Sequence, residues 1–280
     1  MKVPPYSEFS KACIELLYGA RYGGVYQYDR RLKTSAKTTD GWTFASTYVA
    51  KEEGASCEVK AACSRGAFSV ESIASSSSQL SVKASVAAPN LKGFVSAAFP
   101  HQVPARTGVE YSSTKFNVKL ATELARRPIL DFSASCGHRG AQIGGEMSLD
   151  SIRMYSLARW SMGVGYTCTD FQVCAYLMDL GRTTKLTYSH KLDSRSMLGL
   201  QVTKPLVAHN GWETTTTVGY SRRLENGHLL KGKVNTHGIV AMLWEGWIFE
   251  RGGKVALSGQ FDLTDLNKLP KFGVSLDLGR

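Results

Sequence analysis

Along most of this 280-residue chain apolar and polar side chains alternate one by one, and no other feature restricts its possible folds so tightly. In the closing segment 271–280, Phe272, Val274, Leu276 and Leu278 fall on one face of an extended chain, and Lys271, Gly273, Ser275 and Asp277 fall on the other. Side chains of a strand switch faces at every residue, so such a segment separates an apolar medium from a wet one. Trp42, Phe44 and Tyr48 likewise alternate with Thr43, Ala45 and Thr47, and Cys57, Val59, Ala61 and Cys63 alternate with Glu58, Lys60 and Ala62. Leu80, Val82, Ala84 and Val86 oppose Ser81, Lys83 and Ser85, while Phe116, Val118 and Leu120 oppose Asn117, Lys119 and Ala121. Ile143 to Leu149, Leu186 to Tyr188 and Val255 to Phe261 repeat the arrangement, with Lys185 and Lys254 on polar faces. Turn clusters such as Asp40-Gly41, Pro89-Asn90, Gly137-His138-Arg139-Gly140, Glu225-Asn226-Gly227 and Arg251-Gly252-Gly253 separate the runs, as in consecutive antiparallel hairpins.

A mean hydropathy of −0.16 suits a soluble protein, and no run of about 18 apolar residues offers a spanning helix. Neither excludes a transmembrane barrel, in which every second residue faces a polar lumen. The formal net charge of +11 calls for anionic partners. Six cysteines, Cys13, Cys57, Cys63, Cys136, Cys168 and Cys174, contain no Cys-x-x-Cys pair and read as reduced apolar fillers. Met1-Lys2-Val3-Pro4-Pro5 begins no apolar signal region, so a secreted bacterial precursor is not expected.

Near the start, Phe9, Cys13, Leu16 and Leu17 share one helical face, which predicts a helix from about Tyr6 to Tyr18, preceded by Pro4-Pro5 and followed by Gly19 and Gly23-Gly24. Catalytic constellations are weak. The six histidines lack metal-ligand spacing, and Gly253-Lys254 lacks the upstream glycine of a phosphate loop, so neither an enzyme nor a cofactor is expected. Gly163-Val164-Gly165 sits in a strand-like run, where glycine marks close packing or a bend. The informative charges are Lys60, Lys83, Lys119, Lys185, Lys254 and Lys271, all on wet faces. If the apolar faces meet lipid, these lysines line a lumen and favour anions over cations. Trp42, Tyr48, Trp160, Trp212, Trp244 and Trp247 could then supply interfacial aromatic belts.

Several motifs resemble those of the mitochondrial voltage-dependent anion channels. Val3-Pro4-Pro5 followed by Tyr6-Ser7-Glu8-Phe9-Ser10-Lys11 is similar to that family's entry to a pore helix, and Tyr22-Gly23-Gly24 to its glycine hinge. Lys233-Val234-Asn235 resembles the core of the family signature, although Arg222 and Glu225 stand where the signature has tyrosine or histidine and then aspartate. Asn90-Leu91-Lys92 resembles an element linked with nucleotide contacts, with Asn90 in place of glycine, and Lys271-x-Gly273-x-x-Leu276-x-Leu278 is similar to an outer-membrane sorting signal.

The resemblance implies an all-β transmembrane antiparallel barrel of about 19 strands with an N-terminal α-helix inside the pore. That count is the one known for the mitochondrial anion channels themselves, so it follows from the resemblance instead of testing it. Residues 1–24 would form the pore helix and glycine hinge, with Gly23 and Gly24 as the hinge, and residues 25–280 the barrel. The implied function is voltage-dependent, anion-selective diffusion of metabolites and nucleotides across the mitochondrial outer membrane. Lys11, Arg21 and Lys233 would join the wet-face lysines in setting selectivity, and Asn90, Leu91 and Lys92 would meet nucleotides. Expected partners are the lipid bilayer, small anions, ATP and ADP, and further copies of the chain, with no nucleic acid. A charge in lipid is costly, so Glu71 is expected toward the lumen or a turn. Two alternatives stand beside this reading: a protein-import barrel of the same membrane, whose usual longer N-terminal extension is missing, and a soluble basic β-rich protein that binds anions.

Overall fold

A computed structural model describes residues 3–19, 26–51, 54–100, 104–125, 128–150, 156–206, 213–249, 253–265 and 267–279. Its strands are β1 (Arg30–Lys37), β2 (Trp42–Lys51), β3 (Gly54–Arg65), β4 (Phe68–Ser75), β5 (Leu80–Ala87) and β6 (Leu91–Phe99). They continue through β7 (Ala105–Ser112), β8 (Phe116–Leu124), β9 (Ile129–His138), β10 (Ala141–Asp150), β11 (Ser156–Thr167), β12 (Phe171–Met178) and β13 (Thr183–Lys191). The last are β14 (Ser196–Pro205), β15 (Thr215–Arg223), β16 (Leu229–Asn235), β17 (Ile239–Phe249), β18 (Gly253–Asp262) and β19 (Lys271–Gly279).

Each strand pairs with its sequence neighbour to give one 19-stranded sheet, and β1 also pairs with β19. The sheet is therefore a closed barrel with no free edge to hydrogen-bond elsewhere. An odd number of alternating strands leaves the first and last running the same way. The seam is accordingly parallel, with Arg30 opposite Val274 and Ser35 opposite Gly279.

The register sorts every strand into two faces. Leu32 lies between Tyr48 and Leu276 on the outer face, and Lys33 lies between Thr47 and Asp277 on the inner one. Carried around the barrel, the outer face of the described strand residues holds no carboxylate. Its lysines and arginines, Arg30, Arg65, Lys204 and Arg222, all sit at strand ends. Such a surface suits a hydrocarbon layer bounded by two polar interfaces. Some outward aromatics stand near strand ends, where Trp42 stacks on Phe44 and Phe261 meets Phe272 edge-on, whereas Phe132, Trp160 and Trp244 stand in strand interiors. Trp247 is a correction to the aromatic-belt expectation. A spacing of three from the outward Trp244 puts it on the opposite face, opposite Lys254. Trp212 lies outside the described residues.

The predicted single helix is also corrected. A 3-10 turn spans Tyr6–Glu8, and α1 spans Lys11–Tyr18, with Phe9 and Ser10 between them. The expected apolar stripe is intact across that break: Phe9, Cys13, Leu16 and Leu17 are at most 3 % exposed. Gly19 closes α1 with φ of 67°, a left-handed conformation that favours glycine. The stripe packs on the inner wall, so the apolar core of this protein lies inside the barrel between helix and sheet.

Candidate functional site

The inner wall comprises two unlike parts. No residue of β1 to β6 is buried. There Lys33 pairs with Asp277 at 3.0 Å and Lys60 with Glu71 at 2.6 Å. Glu71 stands opposite Ala62 and Lys83, so this carboxylate projects into the lumen and not into lipid. Lys83 of β5 and Lys119 of β8 share the same inner face. Half-exposed pairs of this kind contribute little to stability.

The far wall carries α1. Helix and sheet approach closely because inward positions beneath the N-terminal segment are glycine: a Cβ at Gly199 would come 2.6 Å from Leu16, and one at Gly163 would come 3.1 Å from Tyr6. Gly144 lies under Phe9 and Gly219 under Leu17 in the same way. Phe9 and Tyr6 pack with Cys174 and Tyr176, while Cys13, Leu16 and Leu17 pack with Met197. Each buried apolar side chain contributes about 1.5–3 kcal/mol to this docking. Burial pushes the Cys13 thiol up to about 11, so it stays protonated near neutral pH.

Two lysines of β16 hold the C-terminal end of the helix. Lys231 Nζ donates to the Glu15 carbonyl oxygen at 3.2 Å, where the helix dipole presents its negative end. Lys233 Nζ sits 4.7 Å from the Tyr18 ring centroid and 4.6 Å from that of Tyr26, a cation between two aromatic faces. Gln201 Nε2 donates to the Tyr18 hydroxyl at 3.0 Å. Lys233 thus clasps the chain on both sides of the segment 19–25. Arg21, Gly23 and Gly24 belong to that segment and lie outside the described residues.

Beyond the clasp, the backbone crosses the inner wall of β18 and β19. Ser258 Oγ donates to the Gln27 carbonyl, and a Cβ at 273 would overlap that carbonyl and lie 2.6 Å from Tyr28 Cα. Gly273, the glycine of the sorting-like element, therefore has a steric reason of its own: it admits the chain that leads into β1.

Of the residues expected to set selectivity, Lys60, Lys83, Lys119, Lys185, Lys233 and Lys254 project inward, but they do not form one ring. Lys254 pairs with Glu245, and Lys185 stands on the wall beside the helix near Cys13. Lys11 lies 3.6 Å from Glu8 and lines a cavity of about 620 Å³ with Lys115, Arg139, Gln142 and Gln172. Asn90, Leu91 and Lys92 do not converge. Leu91 is 48 % exposed on the outer face, Lys92 projects inward and Asn90 belongs to the turn between them and β5, because successive strand residues cannot share a face. Lys231, Tyr18 and Tyr26 went unrecognised in the sequence. The spacing of Lys231 and Lys233 put both on one face, but nothing local showed that the helix end would meet them.

Comparison with known proteins agrees with this architecture. The family model described as Eukaryotic porin matches residues 2–273. This chain belongs to the eukaryotic porins. Among its relatives, mitochondrial outer membrane protein porin 5 of Oryza sativa is 25% identical over 90% of this chain and 91% of its own length. Porin 2 of Oryza sativa is 24% identical over 98% and 95%, and porin 2 of Arabidopsis thaliana 25% identical over 90% and 91%. This porin is a pore-forming channel of the mitochondrial outer membrane and not an enzyme. An outer face that is apolar apart from scattered serines, threonines and histidines and cations at strand ends also removes the soluble alternative.

Proposed function

We propose that this porin is an anion-selective, voltage-dependent channel through which anionic metabolites, ATP and ADP among them, diffuse passively. The observation that carries the reading is the segregation of charge. On the inner face of the described strands lysines and arginines outnumber carboxylates, and the outer face has cations only at its margins. A cationic lumen concentrates anions and raises the barrier for cations. Nineteen strands enclose an aqueous channel wide enough for hydrated metabolites beside a docked helix. The voltage dependence is supported by the family and by the docked helix, which carries Lys11 and displaces that charge if it moves. Lys11, Lys60, Lys83, Lys119, Lys185, Lys233 and Lys254 are assigned to selectivity, Arg21 with them, and self-association of barrels through the apolar belt remains part of the reading. Reconstitution in a planar bilayer under a KCl gradient tests it. An anion-side reversal potential with conductance that falls at high voltage of either sign is expected, and cation preference would overturn it.

A further inference from the structure

Between β15 and β19 the outer face is hollowed into a groove of about 640 Å³, walled by Leu230, Met242, Leu257, Phe261 and Phe272. Its floor is low because Met242 stands between two outward glycines, Gly232 and Gly259. A Cβ at Gly232 would meet nothing nearer than 4.0 Å, and one at Gly259 would come 3.4 Å from Phe272 and 3.5 Å from Phe261. From the row of Leu230 and Trp244 to the row of Val240 and Phe261 the groove runs about 13 Å along the strands, close to the depth of one leaflet. One end is polar. Arg222, exposed near the end of β15, belongs to the lining, as does Tyr220, whose hydroxyl donates to Ser196 Oγ at 3.3 Å. Beside them the Trp244 indole lies across Gly246, with the His228 ring edge-on at 5.3 Å. The acidic groups of the flanking turns are engaged elsewhere: Glu225 pairs with Arg195 at 3.0 Å, and Asp193 accepts from the backbone of Arg195 and Ser196. Arg222 is also where this chain departs from the family signature, and the departure supplies the cation.

We infer that this groove is a site for an acidic glycerophospholipid, with one acyl chain laid over Gly232 and Gly259 and the phosphate taken by Arg222. A guanidinium presents a planar fork that matches two phosphate oxygens, and tyrosine and tryptophan suit the boundary between chain and headgroup. Charge decides among the occupants. The outer face of the described strands holds no carboxylate, so a second copy of this chain would bring Arg222 only apolar surface or another cation. A zwitterionic lipid carries a cation of its own, which competes for its phosphate. An acidic lipid brings the missing charge together with a chain for the groove. The site lies on the outer wall and is independent of what passes through the lumen.

The test is native mass spectrometry of the folded barrel in detergent with equal amounts of dioleoylphosphatidylglycerol and dioleoylphosphatidylcholine, which share their chains and differ in headgroup charge. Wild type is expected to take the acidic lipid first, about fivefold over the zwitterionic one. Arg222→Gln should bring that ratio near parity, and Arg222→Lys should keep part of it. Gly259→Leu, which fills the groove, should lower the occupancy of both lipids in barrels that remain heat-modifiable. Lys204→Gln, at an outward strand end away from the groove, should leave the ratio as in wild type. A preference that survives in Arg222→Gln, or one lost equally in Lys204→Gln, would overturn the site, as would a lipid-free dimer in place of the lipid-bound monomer. KCl reversal potentials of Arg222→Gln should match wild type, because the residue faces away from the lumen, so the site and the anion reading stand or fall separately.

Discussion

The wall under the helix and the wall facing it are built from the same alternating strands, yet their inward positions differ in kind. Beneath the helix these positions include glycines, small polar residues and the two lysines of β16, and several are fully buried, Cys174 and Thr187 among them. On β1 to β6 they are mostly serines, threonines, alanines and half-exposed charges, with Val49, Ile73 and Phe94 as apolar exceptions, and none is buried. One outer face thus serves two inner ones. The comparison teaches that the lysines of this lumen are not equivalent: Lys83 and Lys119 face the channel, whereas Lys231 and Lys233 are occupied by the chain itself.

The largest effect is expected at the seam, where the connector crosses from the helix side to the bare side. Gly273→Val sets a branched side chain against the backbone of Gln27 and Tyr28, and overpacking of this kind costs about 1–3 kcal/mol or more. The fraction of heat-modifiable, folded barrel after refolding in detergent should fall sharply, whereas Ser81→Val on the bare wall should leave it near wild type.

Next in size is the helix seat. Gly219→Leu fills the space occupied by Leu17 and should displace α1 without opening the barrel, at a cost of about 1–3 kcal/mol to docking. Cys13 reports this directly. Burial pushes its thiol up to about 11, so in wild type a water-soluble maleimide at pH 8 should modify exposed Cys168 well before Cys13. The Cys13 thiolate forms only as pH rises toward that value, and Gly219→Leu should accelerate its labelling at pH 8.

Neutralising single lysines sharpens the contrast further. Lys233→Gln removes a cation from between Tyr18 and Tyr26, a contact worth about 1–2 kcal/mol, and should raise open-channel noise and N-terminal proteolysis. Lys83→Gln should shift the reversal potential with neither consequence.

The smallest effect is expected at the turn after β13, where the Asp193 carboxylate accepts from the backbone N–H groups of Arg195 at 2.6 Å and Ser196 at 2.7 Å. These bonds hold its carboxyl below the usual range, so their contribution is present above the ordinary aspartate pKa and fades as pH falls through the lowered value. Asp193→Asn should abolish that acid-side loss and leave conductance unchanged, as thermal melts across the acid range would show.

The sequence disclosed the walls better than what lies on them. Period two made the outward Leu80, Val82, Ala84 and Val86 and the inward Lys83 legible, because a strand side chain has only two directions available. The apolar stripe of Phe9, Cys13, Leu16 and Leu17 was legible for the same kind of reason, although the break at Phe9 and Ser10 was not, since a short 3-10 turn leaves the stripe in place. Glycine roles were hidden. Gly144 and Gly145 are neighbours in the chain, yet one lies under Phe9 and the other faces Met162 on the lipid side, and only register tells them apart. Long-range partners such as Lys233 with Tyr18 leave no local trace.

The central claim is that lysines of the bare wall, open to the channel, set its charge preference. The most direct measurement is the reversal potential of K83E/K119E beside wild type under the same KCl gradient. The account predicts an anion-side potential for wild type that moves toward or across zero in the double variant, at similar conductance. An unchanged reversal potential would contradict it.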